Sequence, residues 1–376
     1  MPPKRQRAIV SVTNDLVTDN RVHRTCTALE DLGYEVTLVG RLLPKSTALD
    51  RPYRTRRMRL LFRKGPLFYA EYNLRLFLLL VFARADLLVA NDLDTLLANY
   101  LARGRRKLVY DSHEFFTEVP ELQGRFARRV WLGIERWIFP KLRTVITVNL
   151  SIADAYTARY AALRRAQRDI AVVRNIPMPQ ELGPLRTRTE LGLPEDRRIL
   201  VLQGAGINVQ RGAEEAVLAM QELPGHLLLI IGGGDAWPVL ERLVKDHGLH
   251  DRVRLLGRLP YERMMGYTRN ADLGLTLDKD TNLNYRYSLP NKLFDYLRAG
   301  IPVLATDLPE VAAIVRAYVA GVVIPAPEPA AIAAAVRGLF ADAGQVARVR
   351  DNATFAARQL DGAKEMETLL AVLRNA

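Results

Sequence analysis

The sequence predicts an α/β protein made of two doubly wound parallel-sheet domains in tandem. Short β-branched and aliphatic runs alternate with helical patterns through both halves of the 376 residues, which is the signature of a parallel sheet covered by helices on both faces. At about 150 residues per domain the length suits two domains. A proline-rich stretch at 175–197, carrying Pro177, Pro179, Pro184 and Pro194, separates the halves and reads as a linker.

In the first half, strands are expected at 8–12, 35–39, 86–90, 107–111, 144–148 and 170–173. In the second they are expected at 198–203, 227–231, 253–256, 273–277, 302–305 and 322–324. The expected domains are 1–180 and 181–360, with 361–376 as a terminal helix. Open α/β sheets bind ligands beyond the carboxyl ends of their strands, so the site is expected in a central cleft that both domains face.

Hydrophobic residues at 49% and charged residues at 25% exclude collagen-like, disordered and disulfide-stapled classes. Cys26 is the single cysteine, so no intramolecular disulfide can form and a reducing compartment is expected. Residues 1–7 are basic, but the apolar run at 8–12 is too short for a signal peptide. The most lipid-like stretch, 76–83, is far short of the roughly 20 residues that span a bilayer. The expected location is therefore cytoplasmic.

Charge is unevenly distributed. Residues 1–180 carry +14 and residues 181–376 carry −1. The excess gathers at 51–64, 103–107 and 125–129, interleaved with apolar and aromatic residues in MRLLFRKGPLFYAEYNLRLFLLL and RFARRVWLGIERWIF. Such interleaving suits an anionic membrane surface on the inner leaflet. Nucleic acid competes as a partner, as does a plain solvated basic face; the membrane is the expected partner and nucleic acid is not.

The strongest local constellation is PNKLFDYLRAGIPVLATD, 290–307. A helix starting at Asn291 buries Leu293, Phe294 and Leu297 and stops at Gly300. Lys292 and Asp295 then share the other face. They form either an intrahelical ion pair, or a ligand site in which Lys292 and the helix N-terminus at Pro290 and Asn291 hold a phosphate while Asp295 accepts from ribose hydroxyls. A second signal is LVLQGAGINVQRG, 200–212, where Gly204 and Gly206 allow close approach of an anion and Arg211 precedes the next helix; a tight turn with a solvated arginine is the alternative. Gly232, Gly233 and Gly234 form a third turn. Neither G-x-G-x-x-G nor a P-loop is present.

In the first half, Val22, Cys26 and Leu29 mark the apolar face of a helix with Asp19 as N-cap and with Arg21 and Arg24 off that face. An arginine in a first helical turn opposes the macrodipole, which points to an anionic ligand or partner. YDSHEFF places Asp111, His113 and Glu114 at a strand's end, and VANDLDT places Asn91, Asp92 and Asp94 at another. A structural histidine and a helix N-cap are the plain alternatives. No spacing of metal-ligand type and no G-x-S-x-G elbow occurs.

Together DNRVHRTCTALEDLGYEVTLVGR, YDSHE, VVRNIP, LQGAGINVQRG, RVRLLGRLP, NADLGLTL and PNKLFDYLRAGIPVLATDLPEV resemble family 4 retaining glycosyltransferases of the GT-B fold over nearly the whole chain. The resemblance implies two Rossmann-like domains, the first for the acceptor and the second for a nucleotide-sugar donor such as a UDP- or GDP-sugar, with no tightly bound cofactor and no metal. It implies a last helix, 364–374, that crosses back to the first domain. Asp295 matches the family's ribose-binding glutamate, Lys292 and Arg211 its basic residues at the donor phosphates, and Gly204 and Gly206 its phosphate turn. Arg258 and Leu259 match the loop beside the base, and His113 a histidine near the transferred sugar. Arg211, Lys292 and His113 are the expected catalytic residues. Asn14, Asp19, Arg21, Asn91 and Asp92 are expected at the acceptor. The chain departs from the family pattern at Tyr287, where an acid is usual, at Asp295, which is shorter than glutamate, and at Gly206, where arginine is frequent. The implied function is transfer of a sugar to a saccharide or polyprenyl-linked acceptor in cell-surface glycan synthesis. A non-catalytic nucleotide-sugar or glycan-binding subunit and a GT-B-like nucleotide-sugar epimerase are the alternatives.

Overall fold

The computed structural model describes residues 5–17, 19–44, 46–160, 170–178 and 182–376. Pro179 and the expected boundary at 180/181 lie outside these. The chain forms two compact units, 1–175 with 363–376, and 176–362.

The first unit is built on a parallel sheet of seven strands: β1 (Arg7–Asp15), β2 (Glu35–Arg41), β3 (Arg54–Met58), β4 (Leu87–Asn91), β5 (Lys107–Ser112), β6 (Thr144–Thr147) and β7 (Ala171–Val172). Their order is β3-β2-β1-β4-β5-β6-β7. The inner strands are almost wholly apolar, as expected where helices cover both faces: Val10, Leu88, Val89 and Val109 are completely buried. The chain winds one way from β1 to β2 and the other way to β4, so the point where strand order reverses lies between β1 and β4. Asn14 stands at the carboxyl end of β1, Asp92 just past that of β4 and His113 just past that of β5. The last helix, Gly362–Asn375, belongs to this unit from Ala363 onward and buries Leu369 and Leu373 in the core that also holds Val36 and Leu38. Glu365 accepts the Arg174 backbone N–H at 2.7 Å.

The second unit holds a six-stranded parallel sheet: β8 (Arg198–Gly204), β9 (His226–Gly232), β10 (Val253–Gly257), β11 (Leu273–Thr276), β12 (Val303–Thr306) and β13 (Gly321–Ile324). The order β10-β9-β8-β11-β12-β13 reverses between β8 and β11. That crevice is where doubly wound sheets receive ligands, and the segments leaving β8 and β11 carry Arg211 and Asp278.

Each strand expected from the sequence is present, with ends shifted by no more than three residues. The strand that went unread is β3. Its sequence, RTRRM, has neither alternation nor an apolar run. As the sheet's edge it bonds to β2 alone, and Arg54, Thr55 and Arg56 are exposed.

One contact ties the second sheet to helix Asn291–Arg298. A Cβ at Gly274 would lie 2.3 Å from the Tyr296 ring. The ring is fully buried, and its hydroxyl donates to the Leu275 carbonyl and accepts the Gln203 N–H. Glycine at 274 therefore lets helix Asn291–Arg298 lie directly on β11. Gly274→Ala is expected to lower stability by about 1–3 kcal/mol through overpacking, with recovery in Gly274→Ala/Tyr296→Leu. Urea unfolding measures both, and an unchanged midpoint for the single variant would refute the packing argument.

Candidate functional site

In the second unit three charged side chains from three elements converge. Lys292 enters from the first turn of helix Asn291–Arg298, Arg211 from the segment after β8, and Asp278 from the segment after β11. Lys292 Nζ lies 3.5 Å from Asp278 Oδ2, and an Arg211 terminal nitrogen lies 3.5 Å from Asp278 Oδ1. The Arg211 guanidinium also sits 4.8 Å from the centre of the Tyr285 ring, a cation–π contact. Asp278 is 2% exposed, yet neither carboxylate oxygen accepts a well-formed hydrogen bond among the described residues. Burial pulls Lys292 below the ordinary lysine value; Asp278 opposes that and Arg211 adds to it. Gly212, at φ +75°, makes the convergence feasible, because a Cβ there would lie 2.2 Å from the Leu277 carbonyl oxygen. Sequence reasoning passed over Asp278. Its signal was position: it follows β11 directly, at a carboxyl end.

The intrahelical ion pair of Lys292 with Asp295, one of the two alternatives that their spacing allows, is not formed. Residues 292–297 are all buried, so this eight-residue helix has no solvent face there, and the two side chains turn to different partners. Asp295 accepts from Gln203 Nε2 at 3.0 Å and from the Tyr261 hydroxyl at 2.8 Å. Burial pushes its pKa up to about 6 against the pull of those hydrogen bonds. Both oxygens expected to serve a ribose are engaged within the protein.

Gly204 ends β8 and pairs with Gly232, and Gly206 lies next to Asn208. Neither has the positive φ found at Gly212. The turns after β8 and β9 bind each other: Ile207 N–H donates to Gly233 O at 3.0 Å and Val209 N–H to the Asp235 carboxylate at 2.8 Å. Arg258 is exposed and lies along Gly233, Leu259 packs on the sheet's core, and Pro290 and Asn291 open the Lys292 helix.

In the first unit, His113 is held by three side chains. Its Nε2 is 3.1 Å from Asn91 Oδ1 and 3.5 Å from Asp111 Oδ2, and its Nδ1 is 3.4 Å from Asp92 Oδ2. The Asp92 carboxylate also accepts the His113 backbone N–H at 2.8 Å. Burial opposes protonation of the imidazole, but Asp92 and Asp111 outweigh it and raise the pKa to about 9. The two carboxylates thus favour the imidazolium form of His113 at neutral pH. Asp92 occupies an N-cap position without a side-chain capping bond and has φ 58°, a rare conformation for a residue with a side chain. Its carboxylate serves His113 instead.

Arg21 differs from expectation. It is buried, with its guanidinium 2.5 Å from Asp111 Oδ1 and 2.9 Å from the Val173 carbonyl oxygen. The charge that seemed to call for an external anion is met inside the unit. Asn91 is likewise enclosed, donating to Ser11 O at 3.0 Å. Asp19 caps its helix by accepting the Val22 N–H, and its other oxygen accepts from Asn14 at 3.2 Å. Among the described residues no three His, Cys, Asp or Glu side chains are grouped to hold a metal ion.

Two family models match this chain, "Glycosyltransferase Family 4" over residues 19–175 and "Glycosyl transferases group 1" over residues 186–355. A D-inositol 3-phosphate glycosyltransferase of Catenulispora acidiphila is 26% identical over 204 residues, which are 51% of this chain and 47% of that protein. The match thus spans about half the length of that relative. Among solved structures, sucrose-phosphate synthase from Thermosynechococcus elongatus matches with a TM-score of 0.79 at 19% identity, over 99% of both chains. Anabaena HepE in complex with UDP-glucose matches with a TM-score of 0.71 at 16% identity, over 98% of this chain and 100% of that one. With its successive halves matched by the two models and its fold shared with these structures, the chain belongs to the family 4 glycosyltransferases of the GT-B fold.

Proposed function

We propose that the protein is a retaining glycosyltransferase that moves a sugar from a UDP- or GDP-sugar to a saccharide or polyprenyl-linked acceptor in glycan synthesis, at the inner face of a membrane. The observation that carries this reading is the pair of cations, Arg211 and Lys292, drawn together around a buried carboxylate that gives neither a close hydrogen bond. A diphosphate has the charge and the spread of acceptor oxygens to draw both cations into short, charge-assisted bonds.

In this reading the glycosidic C–O bond to the donor phosphate breaks, with its electron pair passing to the departing oxygen. Arg211 and Lys292 stabilise the charge that develops there. The acceptor hydroxyl attacks the anomeric carbon from the face the phosphate leaves, and its proton passes to the leaving phosphate. His113 contributes a fixed positive charge beside the transferred sugar, its two ring nitrogens being held by Asn91, Asp111 and Asp92. A second reading, donor binding without turnover, draws support from Tyr287 and from the engagement of both Asp295 oxygens. Incubation with UDP- and GDP-sugars and candidate acceptors separates the two: nucleoside diphosphate released only in the presence of acceptor supports transfer.

Arg211→Ala and Lys292→Ala are each expected to weaken binding of the nucleoside diphosphate by roughly 10- to 100-fold, as the loss of one charge-assisted bond of about 1.5–3 kcal/mol requires. Calorimetry with UDP and GDP measures it, and wild-type affinity in both variants rejects the assignment. Asp278→Asn removes the competing negative charge and is expected to tighten the same binding; weaker binding would show that the carboxylate organises the cations instead. For His113, the raised pKa means that its charge, and the stability that charge confers, is fully present below the unperturbed value near 6.5 and is lost as pH rises through about 9. An NMR titration of the imidazole is expected to show a midpoint near 9, and one at or below 6.5 would contradict the network described.

A further inference from the structure

The helix Gly65–Phe82 is apolar on two sides, and the protein covers only one. Phe68, Tyr72, Leu76 and Leu80 are buried in the first unit, where the Tyr72 hydroxyl donates to Val12 O at 2.6 Å. Leu67, Leu74, Leu78, Val81 and Phe82 face solvent, the last 83% exposed. At 100° per residue these five fall within one stripe along a helix of about 27 Å. Leu61 and Phe62, just ahead of it, are also exposed, Leu61 by 80%. A helix that is apolar all round is ordinarily enclosed, and a bare stripe of this extent marks an interaction surface.

The charges around the stripe are basic. Arg56, Arg59, Arg63, Lys64 and Arg84 are exposed and form no ion pair among the described residues. The helix has one acid, Glu71, which accepts the Leu61 and Phe62 N–H groups and pairs with Arg75 at 2.8 Å. Between edge strand β3 and the helix lies an open cavity of about 550 Å³, walled by Arg56, Arg57 and Arg75 on its polar side and by Leu78, Leu79 and Phe82 on its apolar side. Tyr69 packs edge-on to Trp131 of helix Phe126–Ile138 at 5.2 Å. That neighbouring helix exposes a second stripe, Phe126, Val130 and Trp137, flanked by Arg125, Arg129 and Arg136.

We propose that this face of the first unit docks on a bilayer containing anionic phospholipids, with helix Gly65–Phe82 lying flat in the headgroup region and the cavity beside β3 receiving a lipid phosphate. Charge complementarity selects this occupant. A second copy of the chain meeting this face symmetrically would set its arginines against like charges, and a nucleic acid would satisfy the arginines but leave the aliphatic stripe in water. The helix lies on the surface and does not cross. Its inner side is locked into the core, and among the described residues no single helix is long and apolar enough to span a membrane. The combination of a buried inner face, an apolar outer face and a basic rim is that of an interfacial helix.

The docking deepens the proposed location at a membrane and rests on that reading, but its test is separate from transfer, since vesicle binding needs neither donor nor acceptor. Full-length protein is mixed with phosphatidylcholine vesicles, with and without 30% phosphatidylglycerol, and sedimented. Binding is expected only with phosphatidylglycerol, and it should fall at least tenfold between about 0.05 and 0.5 M salt, as screening of exposed charges requires. Leu74→Ser/Leu78→Ser and Arg56→Glu/Arg63→Glu alter exposed side chains, and each is expected to lower vesicle binding at least tenfold while UDP affinity and the circular dichroism spectrum stay as in wild type. Equal binding to neutral vesicles, or full binding by either double variant, overturns the proposal. A concentration-dependent dimer that the leucine variant abolishes would assign the face to a second copy and overturn it as well. Loss of UDP binding in the wild type would instead bear on the donor-site reading and leave the docking result intact.

Discussion

Asp278 and the two cations beside it set the main constraint on the second unit. A carboxylate removed from water is costly unless charge and hydrogen bonds compensate it, and here compensation comes as two ion contacts at 3.5 Å with no close hydrogen bond. The cluster carries one more positive than negative charge, in a place where burial already weakens the charge on Lys292. Such an arrangement holds the cations near each other without saturating them. It also depends on the fold, because the three residues come from separate segments of sequence and meet only where a parallel sheet sends its carboxyl ends to one edge. Gly212 permits the approach of the Arg211 segment to β11, and Gly274 permits that of the Lys292 helix.

The first unit handles buried charge in the opposite way. Arg21, Asp111, His113 and Asp92 form a chain in which each cation faces a carboxylate and the total charge is zero once His113 is protonated. Arg21 and His113 together hold Asp111 well below the usual carboxylate range despite its burial. A network balanced in this way has little capacity to attract an external anion, but it fixes the imidazolium in position and orientation, and it accounts for the unusual backbone of Asp92. One unit thus presents unsaturated positive charge, and the other a charged group held rigid by saturated partners.

These differences explain what could be read from the sequence. Buried strands such as β4 and β9 appear as continuous apolar runs, and helix Asn291–Arg298 was legible from its apolar spacing and from Gly300. Spacing within a helix shows which residues neighbour one another along it, but not what a distant strand or helix sets opposite them. That is why spacing alone leaves an ion pair between Lys292 and Asp295 open, although their partners, Asp278 for one and Gln203 with Tyr261 for the other, lie elsewhere in the sequence. Arg21 misled for the same reason, since its counterion is 90 residues away. β3 was hidden because an edge strand needs only one neighbour and tolerates a sequence made almost wholly of charge.

The charge asymmetry of the chain takes on a clearer meaning once the buried arginines are set aside. Arg21 and Arg24 are enclosed, and Arg159 sits between Glu118 and Glu135, so these do not contribute to the outer field of the first unit. What remains lies on its outside, at β3, at 59–64, at 103–107 and at 125–129, beside exposed Leu, Val, Phe and Trp side chains. Like charges gathered on a surface repel one another, and apolar groups left in water give up the burial that stabilises a fold. Either feature alone has common explanations in solubility or in a loosely packed surface. The docking proposed above would account for their coincidence along one helix whose single acid is consumed by its own neighbours, because a lipid headgroup layer offers negative charge and an apolar interior within a few ångströms of each other.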